Sequence, residues 1–125
     1  MSNPHPSIWE DIDGSIFLHM GNEFPNWEIP HSEGKYLLSG VKEKFDEWNS
    51  KNYNIYIITA RGEGWRELTE YQLQFYGLKY KQLIMDVGRG KRFLINDLKP
   101  YVEGDAKSAF AINLERDSGI AHLTV

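Results

Sequence analysis

Residues 11–15 read Asp-Ile-Asp-Gly-Ser and set two carboxylates two positions apart, directly before a glycine. At the end of a strand, such a pair projects to one side as the backbone leaves the sheet. Two close carboxylates repel and are costly to keep ionised unless a cation neutralises them. Magnesium does so, preferring a few carboxylates together with waters and phosphate oxygens. Gly14 lets backbone amides approach a phosphate closely. Thr59 offers a hydroxyl to another phosphate oxygen, and Asp97, from a distant segment, would complete an acidic cluster of Asp11, Asp13 and Asp97. Taken singly, each piece has an ordinary use: a surface turn, a strand-end threonine, an Asn-Asp turn. Their weight comes from where the chain places them together.

The elements that must position them are legible in the hydropathy pattern. Ser7 to Ile12 is a partly apolar run stopped by Asp13-Gly14, which predicts a strand entering a turn. Ile16 to Met20 is expected as a second short strand, and residues 16–35 as a flap rich in Gly, Pro and Asn. Leu37, Leu38, Val41, Phe45 and Trp48 recur at helical spacing across Tyr36 to Ser50. Ile55 to Thr59 is a near-continuous β-branched and aromatic run of the kind buried in parallel sheets. Trp65 to Tyr76 predicts a helix with Gly77 ending it. Gln82 to Met85, Arg92 to Asn96 and Ala109 to Leu114 are further expected strands.

This alternation predicts an α/β fold, a three-layer sandwich around a mostly parallel Rossmann-like sheet, with no sizeable cap domain. Ligands bind such sheets at the carboxyl ends of the strands. Asp11 to Ser15, Thr59 to Arg61 and Asn96-Asp97 all fall there. A chain of 125 residues with 41% hydrophobic content is expected to form one domain, residues 1–125. Its net charge of −4 argues against a nucleic-acid duplex as partner. The densest basic cluster, Arg89 to Arg92, suits one small anion. The absence of cysteine excludes disulfides, thiolate zinc sites and cysteine nucleophiles. No apolar run approaches the roughly 20 residues that span a bilayer, and the N-terminus does not read as a signal peptide. The expectation is a cytoplasmic protein without a membrane partner.

The order Asp11-Ile-Asp-Gly-Ser15, Ile55-Tyr-Ile-Ile-Thr59 and Phe93-Leu-Ile-Asn-Asp97 resembles the haloacid dehalogenase-like (HAD) hydrolase superfamily, over roughly residues 7–115. The short spacing between the first two motifs is most similar to its small capless phosphatases. The resemblance implies a magnesium-dependent phosphomonoester hydrolase acting on a small sugar phosphate or nucleotide. Asp11 would form an aspartyl-phosphate, and Asp13 would serve as general acid and base. Magnesium would be held by Asp11, the Asp13 carbonyl and Asp97. Gly14, Thr59, Arg61 and Lys99 would bind the phosphoryl group, with Lys91 and Arg89 as other candidates for the basic partner. Ser15 stands where the family usually has Thr, and Asn96 where it often has an acid.

Other residues invite functional readings beside ordinary ones. His19 and His31 flank the flap, Trp27 lies on it, and Trp65 either lines a pocket mouth or starts a helix. A small polar domain of this type is a candidate homo-oligomer. The competing readings are a binding domain that kept the fold without turnover, and a receiver domain. The receiver's phosphorylated Asp ends an internal strand, whereas Thr59 ends that strand here. A helix–loop–helix calcium loop fails because Ile16 and Asn22 stand where Gly and Glu are required.

Overall fold

A computed structural model describes residues 4–21, 36–101 and 103–125. Three strands, β1 (Ser7–Glu10), β2 (Asn54–Ile58) and β3 (Gln82–Ile84), form a parallel sheet in the order β1-β2-β3. Helix α1 (Val41–Ser50) connects the first pair. A 3₁₀ turn (Glu63–Trp65) running into α2 (Arg66–Phe75) connects the second. The register is Glu10 opposite Ile57 and Ile58 opposite Ile84.

Both crossovers step the same way across the sheet, so right-handed connection puts both helices on one face. That face is the core. Ile55 and Ile57 of β2 are buried in a single cluster with Val41, Phe45 and Trp48 of α1 and Leu73 of α2. The opposite face carries Trp9, 52% exposed and stacked on Tyr56 of the neighbouring strand at 4.4 Å. The architecture is therefore a small α/β unit with a three-stranded parallel sheet and two helices.

Helix α1 begins at Val41 rather than Tyr36 because Gly40 precedes it in the left-handed region at φ +80°. Leu37 instead bridges Phe17, and Leu38 joins the core. Gly40 also lies where the C-terminal segment crosses, and a Cβ there would meet Ala121 at 2.5 Å. Ile120 donates its N–H to the Ser39 carbonyl at 3.0 Å and is fully buried.

Three expectations differ from what forms. Ile16 to Met20 is no strand; Phe17 makes only isolated bridges with Asp13 and Leu37. Residues 22–35 of the expected flap, with Trp27 and His31, lie outside the described residues. Arg92–Asn96 and Ala109–Leu114 are not strands either. Phe93, Leu94 and Ile95 stand 83%, 72% and 94% exposed. A strand exists only where a neighbour accepts its backbone hydrogen bonds, and among the described residues neither run has such a neighbour. The Arg92 side chain reaches Asp11, with Nη1 3.5 Å from Oδ1. Residues 96–108 instead fold back on themselves: Lys99 N–H donates to the Ala106 carbonyl at 2.7 Å, and Asn96 Nδ2 to Ser108 Oγ at 2.7 Å.

Candidate active site

The parallel register places Asp11 one residue beyond the paired end of β1 and Thr59 one beyond the end of β2. Past Asp11 the backbone turns tightly. The Ile12 carbonyl accepts from the Ser15, Ile16 and Phe17 amides at 3.1, 2.8 and 3.1 Å. Gly14 takes φ +93°, and a Cβ there would press on Arg116 at 3.2 Å. Its amide, which the sequence offers to a phosphate, donates to the Phe17 carbonyl at 2.7 Å. Asp117 closes the loop from the C-terminal side. Its N–H donates to the Gly14 carbonyl, and its Oδ1 accepts from the His19 N–H, both at 2.8 Å.

Two cations meet the two aspartates. Arg61 grips Asp13 as a fork: Nε donates to Oδ2 at 3.0 Å and Nη2 to Oδ1 at 2.8 Å. Bidentate pairs of this kind are the strong ones. The guanidinium is buried and anchored from behind by α2, with Nη1 donating to Thr69 Oγ1 at 3.0 Å and Gln72 Oε1 at 2.7 Å. Burial works against its charge. The hydrogen bonds and charge of Asp13, followed by Tyr36, outweigh that and hold Arg61 above the ordinary arginine range. Asp11, by contrast, is 45% exposed and meets Arg92 only at the looser 3.5 Å.

Thr59 is buried, and its Oγ1 accepts the Arg61 N–H at 3.1 Å. That bond fixes the hydroxyl as acceptor toward the loop and leaves its proton for another oxygen. Asp86, following β3 at φ +60°, accepts from the Glu63 N–H at 3.1 Å and so holds the Gly62–Glu63 rim. Trp65, 37% exposed, ends the 3₁₀ turn on this rim.

Glu10, the last residue of β1, is the unexpected acid. It is buried, and its pKa rises to about 8 through desolvation, with the Ser15 hydrogen bond opposing and the Asp11 charge adding to the rise. Ser15 Oγ lies 2.6 Å from the Asp11 carbonyl and 3.2 Å from Glu10 Oε2. The Ser15 hydroxyl is shared, donating mainly to the Asp11 carbonyl and more distantly to Glu10 Oε2. Behind this cluster Tyr36 is buried and raised, first by desolvation, with the Arg61 charge opposing. Its hydroxyl and Gln72 Nε2 make no hydrogen bond among the described residues.

The structure thus brings Asp11, Asp13, Gly14, Thr59 and Arg61 together and leaves Asp97 and Lys99 elsewhere. Lys99 bonds Asp97 on the exposed excursion and holds its carboxyl below the usual range. Among the described residues no three acidic or histidine side chains form a group able to hold a metal ion. Lys91 and Arg89 are exposed. Sequence reasoning missed Arg92 at Asp11 and the Arg61 anchors. Thr69 and Gln72 did carry a signal, as polar residues on the same helix face as Leu68 and Leu73.

No family model matches this sequence, and no curated protein matches it. A chain in a solved structure titled "Structure of Pnkp1/Rnl/Hen1 complex" is similar in fold, with a TM-score of 0.51 and 23% identity. The match covers 74% of this chain and 32% of that one, so this chain spans about a third of its neighbour's length. At that identity the likeness concerns the fold. Among the described residues no helix is long and apolar enough to cross a membrane.

Proposed function

We propose that this chain is a phosphomonoester hydrolase of the HAD type, transferring a phosphoryl group to Asp11 and then to water. The observation that carries the reading is the pairing of unlike aspartates at one strand end. Asp11 presents an accessible carboxylate, while Asp13, two residues on, is fixed by a buried arginine from the next strand end. A nucleophile must reach the substrate, and an acid–base group must be held in one orientation. An Asp11 oxygen attacks phosphorus while Asp13, protonated on the oxygen it turns away from Arg61, gives that proton to the leaving oxygen as the P–O bond breaks. Asp13 then takes a proton from the water that splits the acyl phosphate. Thr59 donates its hydroxyl to a phosphoryl oxygen, and Arg92 offers the nearest cation to Asp11.

Asp11 and the Asp13 carbonyl are oxygen donors of the kind magnesium accepts, which binds through one or two carboxylates and fills its remaining positions with water and phosphate oxygens. They would hold it, joined by Asp97 if the exposed segment docks, and it would neutralise charge on the phosphoryl oxygens. The same reading includes a fuller sheet in which Phe93–Asn96 adds a strand beside β1. Helices on the second face would then complete a three-layer sandwich. A small sugar phosphate or nucleotide is the expected substrate class.

A second reading, a binding domain without turnover, draws on one fact: both oxygens of Asp13 are already engaged by Arg61. Hydrolysis of p-nitrophenyl phosphate and a panel of sugar and nucleoside phosphates, with and without magnesium, separates the two. The expected result is magnesium-dependent turnover abolished in Asp11→Asn, with a hydroxylamine-labile phosphoryl adduct on the wild type. Turnover that survives Asp11→Asn would refute the mechanism. A folded, metal-replete protein that turns over nothing would leave the binding domain.

A further inference from the structure

We infer that Tyr36 is a positioning residue: its hydroxyl takes the Arg61 N–H that is released when Asp13 turns one oxygen toward a leaving group. The seat for that N–H stands on the fold; its use in turnover rests on the phosphatase reading.

Asp13 has a conflict to resolve. Both of its oxygens are bound in the resting fork, Oδ2 by Arg61 Nε and Oδ1 by Nη2. An acid–base group needs an oxygen facing the substrate, so one arm of the fork must open. Opening leaves an N–H of a buried guanidinium without its acceptor, and an unpaired donor on a charged group costs more than one on a neutral group. Thr69 Oγ1 and Gln72 Oε1 offer no relief, because both already accept from Nη1. Those two bonds also anchor the guanidinium, so it does not follow Asp13 outward.

Tyr36 supplies the missing acceptor. It is 3% exposed, and its hydroxyl makes no hydrogen bond among the described residues. Gln72 Nε2, on the amide whose oxygen holds Arg61, is left without a partner in the same way. Buried polar atoms are almost always paired, so two unpaired ones around a single guanidinium ask for a cause. Desolvation is the first influence on the Tyr36 hydroxyl and holds it above the ordinary tyrosine range, with Arg61, Asp13 and Gln72 also acting on it. The hydroxyl therefore faces this cluster as a neutral group, able to accept a hydrogen bond without competing with Asp13 for the positive charge.

Packing fixes where that acceptor sits. The Tyr36 ring is stacked on Phe17 at 4.7 Å and 13°, and Phe17 is fully buried. The guanidinium carbon of Arg61 lies 6.0 Å from the centre of the same Phe17 ring. Phenol and guanidinium thus share one floor, and the Nε–Nη2 edge can pivot about the two Nη1 bonds. One phenolic oxygen accepts from Arg61 and from Gln72 Nε2 together, so the step that frees an Asp13 oxygen also pairs both orphaned atoms. A contact absent at rest and made in the working state favours the chemical step rather than binding.

Tyr36→Phe removes the oxygen and keeps the ring on Phe17. It is expected to leave the urea midpoint of the otherwise unaltered protein the same or slightly higher, because the deleted hydroxyl is unpaired at rest. An Asp13→Asn background imitates the opened fork, since Asn keeps one oxygen for Arg61 and turns an amide NH₂ to the other arm. There Tyr36→Phe should lower the midpoint by on the order of 0.5 M. Asp13→Ala, which opens both arms, serves the same cycle if Asp13→Asn does not fold. An effect of equal size in both backgrounds, zero included, would overturn the inference. So would a cost at rest alone, the result expected of a hydroxyl already satisfied by a buried water. With the best sugar phosphate of the panel, Tyr36→Phe should lower kcat/KM roughly tenfold, and with p-nitrophenyl phosphate by less than about twofold, because nitrophenolate leaves without a proton. Equal losses on the two substrates, or none on either, would overturn the role in turnover. A protein that turns over nothing while the cycle shows coupling defeats the phosphatase reading and leaves the Tyr36 seat standing. Turnover without coupling does the reverse.

Discussion

Replacing Glu10 by Gln should remove most of the pH dependence of stability between pH 5 and 8. Glu10 is 8% exposed, and its pKa rises from 4.5 to about 8 in the fold. The folded state therefore holds a proton that the unfolded chain has released across that window. Stability is full below pH 4.5, falls as pH rises toward 8, and is flat above. At about 1.36 kcal/mol per tenfold change in proton affinity, the loss amounts to roughly 5 kcal/mol. That is a large part of the roughly 5–15 kcal/mol that holds small domains together. Urea unfolding followed by tryptophan fluorescence, in chelator so that Asp11 stays metal-free, should show the wild-type midpoint dropping by on the order of 2–3 M across the window. Gln is a neutral near-isostere of the protonated acid and its Oε1 can still accept from Ser15 Oγ, so Glu10→Gln should keep the pH 5 midpoint and hold it to pH 8. Histidines titrate in the same range, and subtracting the variant's profile from the wild type's removes them. Parallel profiles for the two proteins would refute the protonated Glu10.

Three other substitutions probe the frame. Arg61→Ala leaves Asp13, Thr69 and Gln72 unpartnered in a buried site and should cost about 3–5 kcal/mol in denaturant melts. Arg61→Lys should recover little of it, since an ammonium cannot reproduce the fork. Gly119→Ala places a Cβ 2.5 Å from the Ser39 carbonyl at φ +80°, and should lower stability by more than about 2 kcal/mol in the same melts. Ile120→Ala opens a cavity in the core from the C-terminal segment and should cost about 2–5 kcal/mol, while loss of the last seven residues by proteolysis should unfold the domain.

The sequence reveals this fold where periodicity and burial agree. Ile55 to Thr59 reads as a buried strand and is one through Ile58, and the helical spacing of Val41, Phe45 and Trp48 survives intact in α1. Asp11, Asp13 and Thr59 are legible as strand-end residues because a turn signal or the end of an apolar run fixes them there. What periodicity cannot carry is partnership. The run Phe93-Leu94-Ile95 has strand composition, but composition does not say whether a neighbour accepts its backbone hydrogen bonds, and among the described residues none does. The C-terminal residues Asp117 to Ile120 show no pattern at all, yet they tie the Gly14 turn to the start of α1 through single backbone hydrogen bonds.

On the phosphatase reading, the two arginines near the strand ends would divide the electrostatic work that a phosphoryl group demands. A guanidinium has five N–H donors, and four of those of Arg61 are committed to Asp13, Thr69 and Gln72. Such a group fixes an aspartate in place and has little left with which to seize a phosphate. The Arg92 side chain is 35% exposed and meets Asp11 only at 3.5 Å, so on that reading its donors would be open to an incoming dianion. Lys99, two residues beyond Asp97, reaches the site only if the exposed segment docks, and then arrives with the carboxylate it already pairs. The acid would thus sit on a rigid strand end, while the metal ligand and the basic partner lie together on the exposed segment. On the phosphatase reading the strand end would hold the Asp11 nucleophile and the positioned Asp13, and docking of the segment that carries Asp97 and Lys99 would supply the remaining charge.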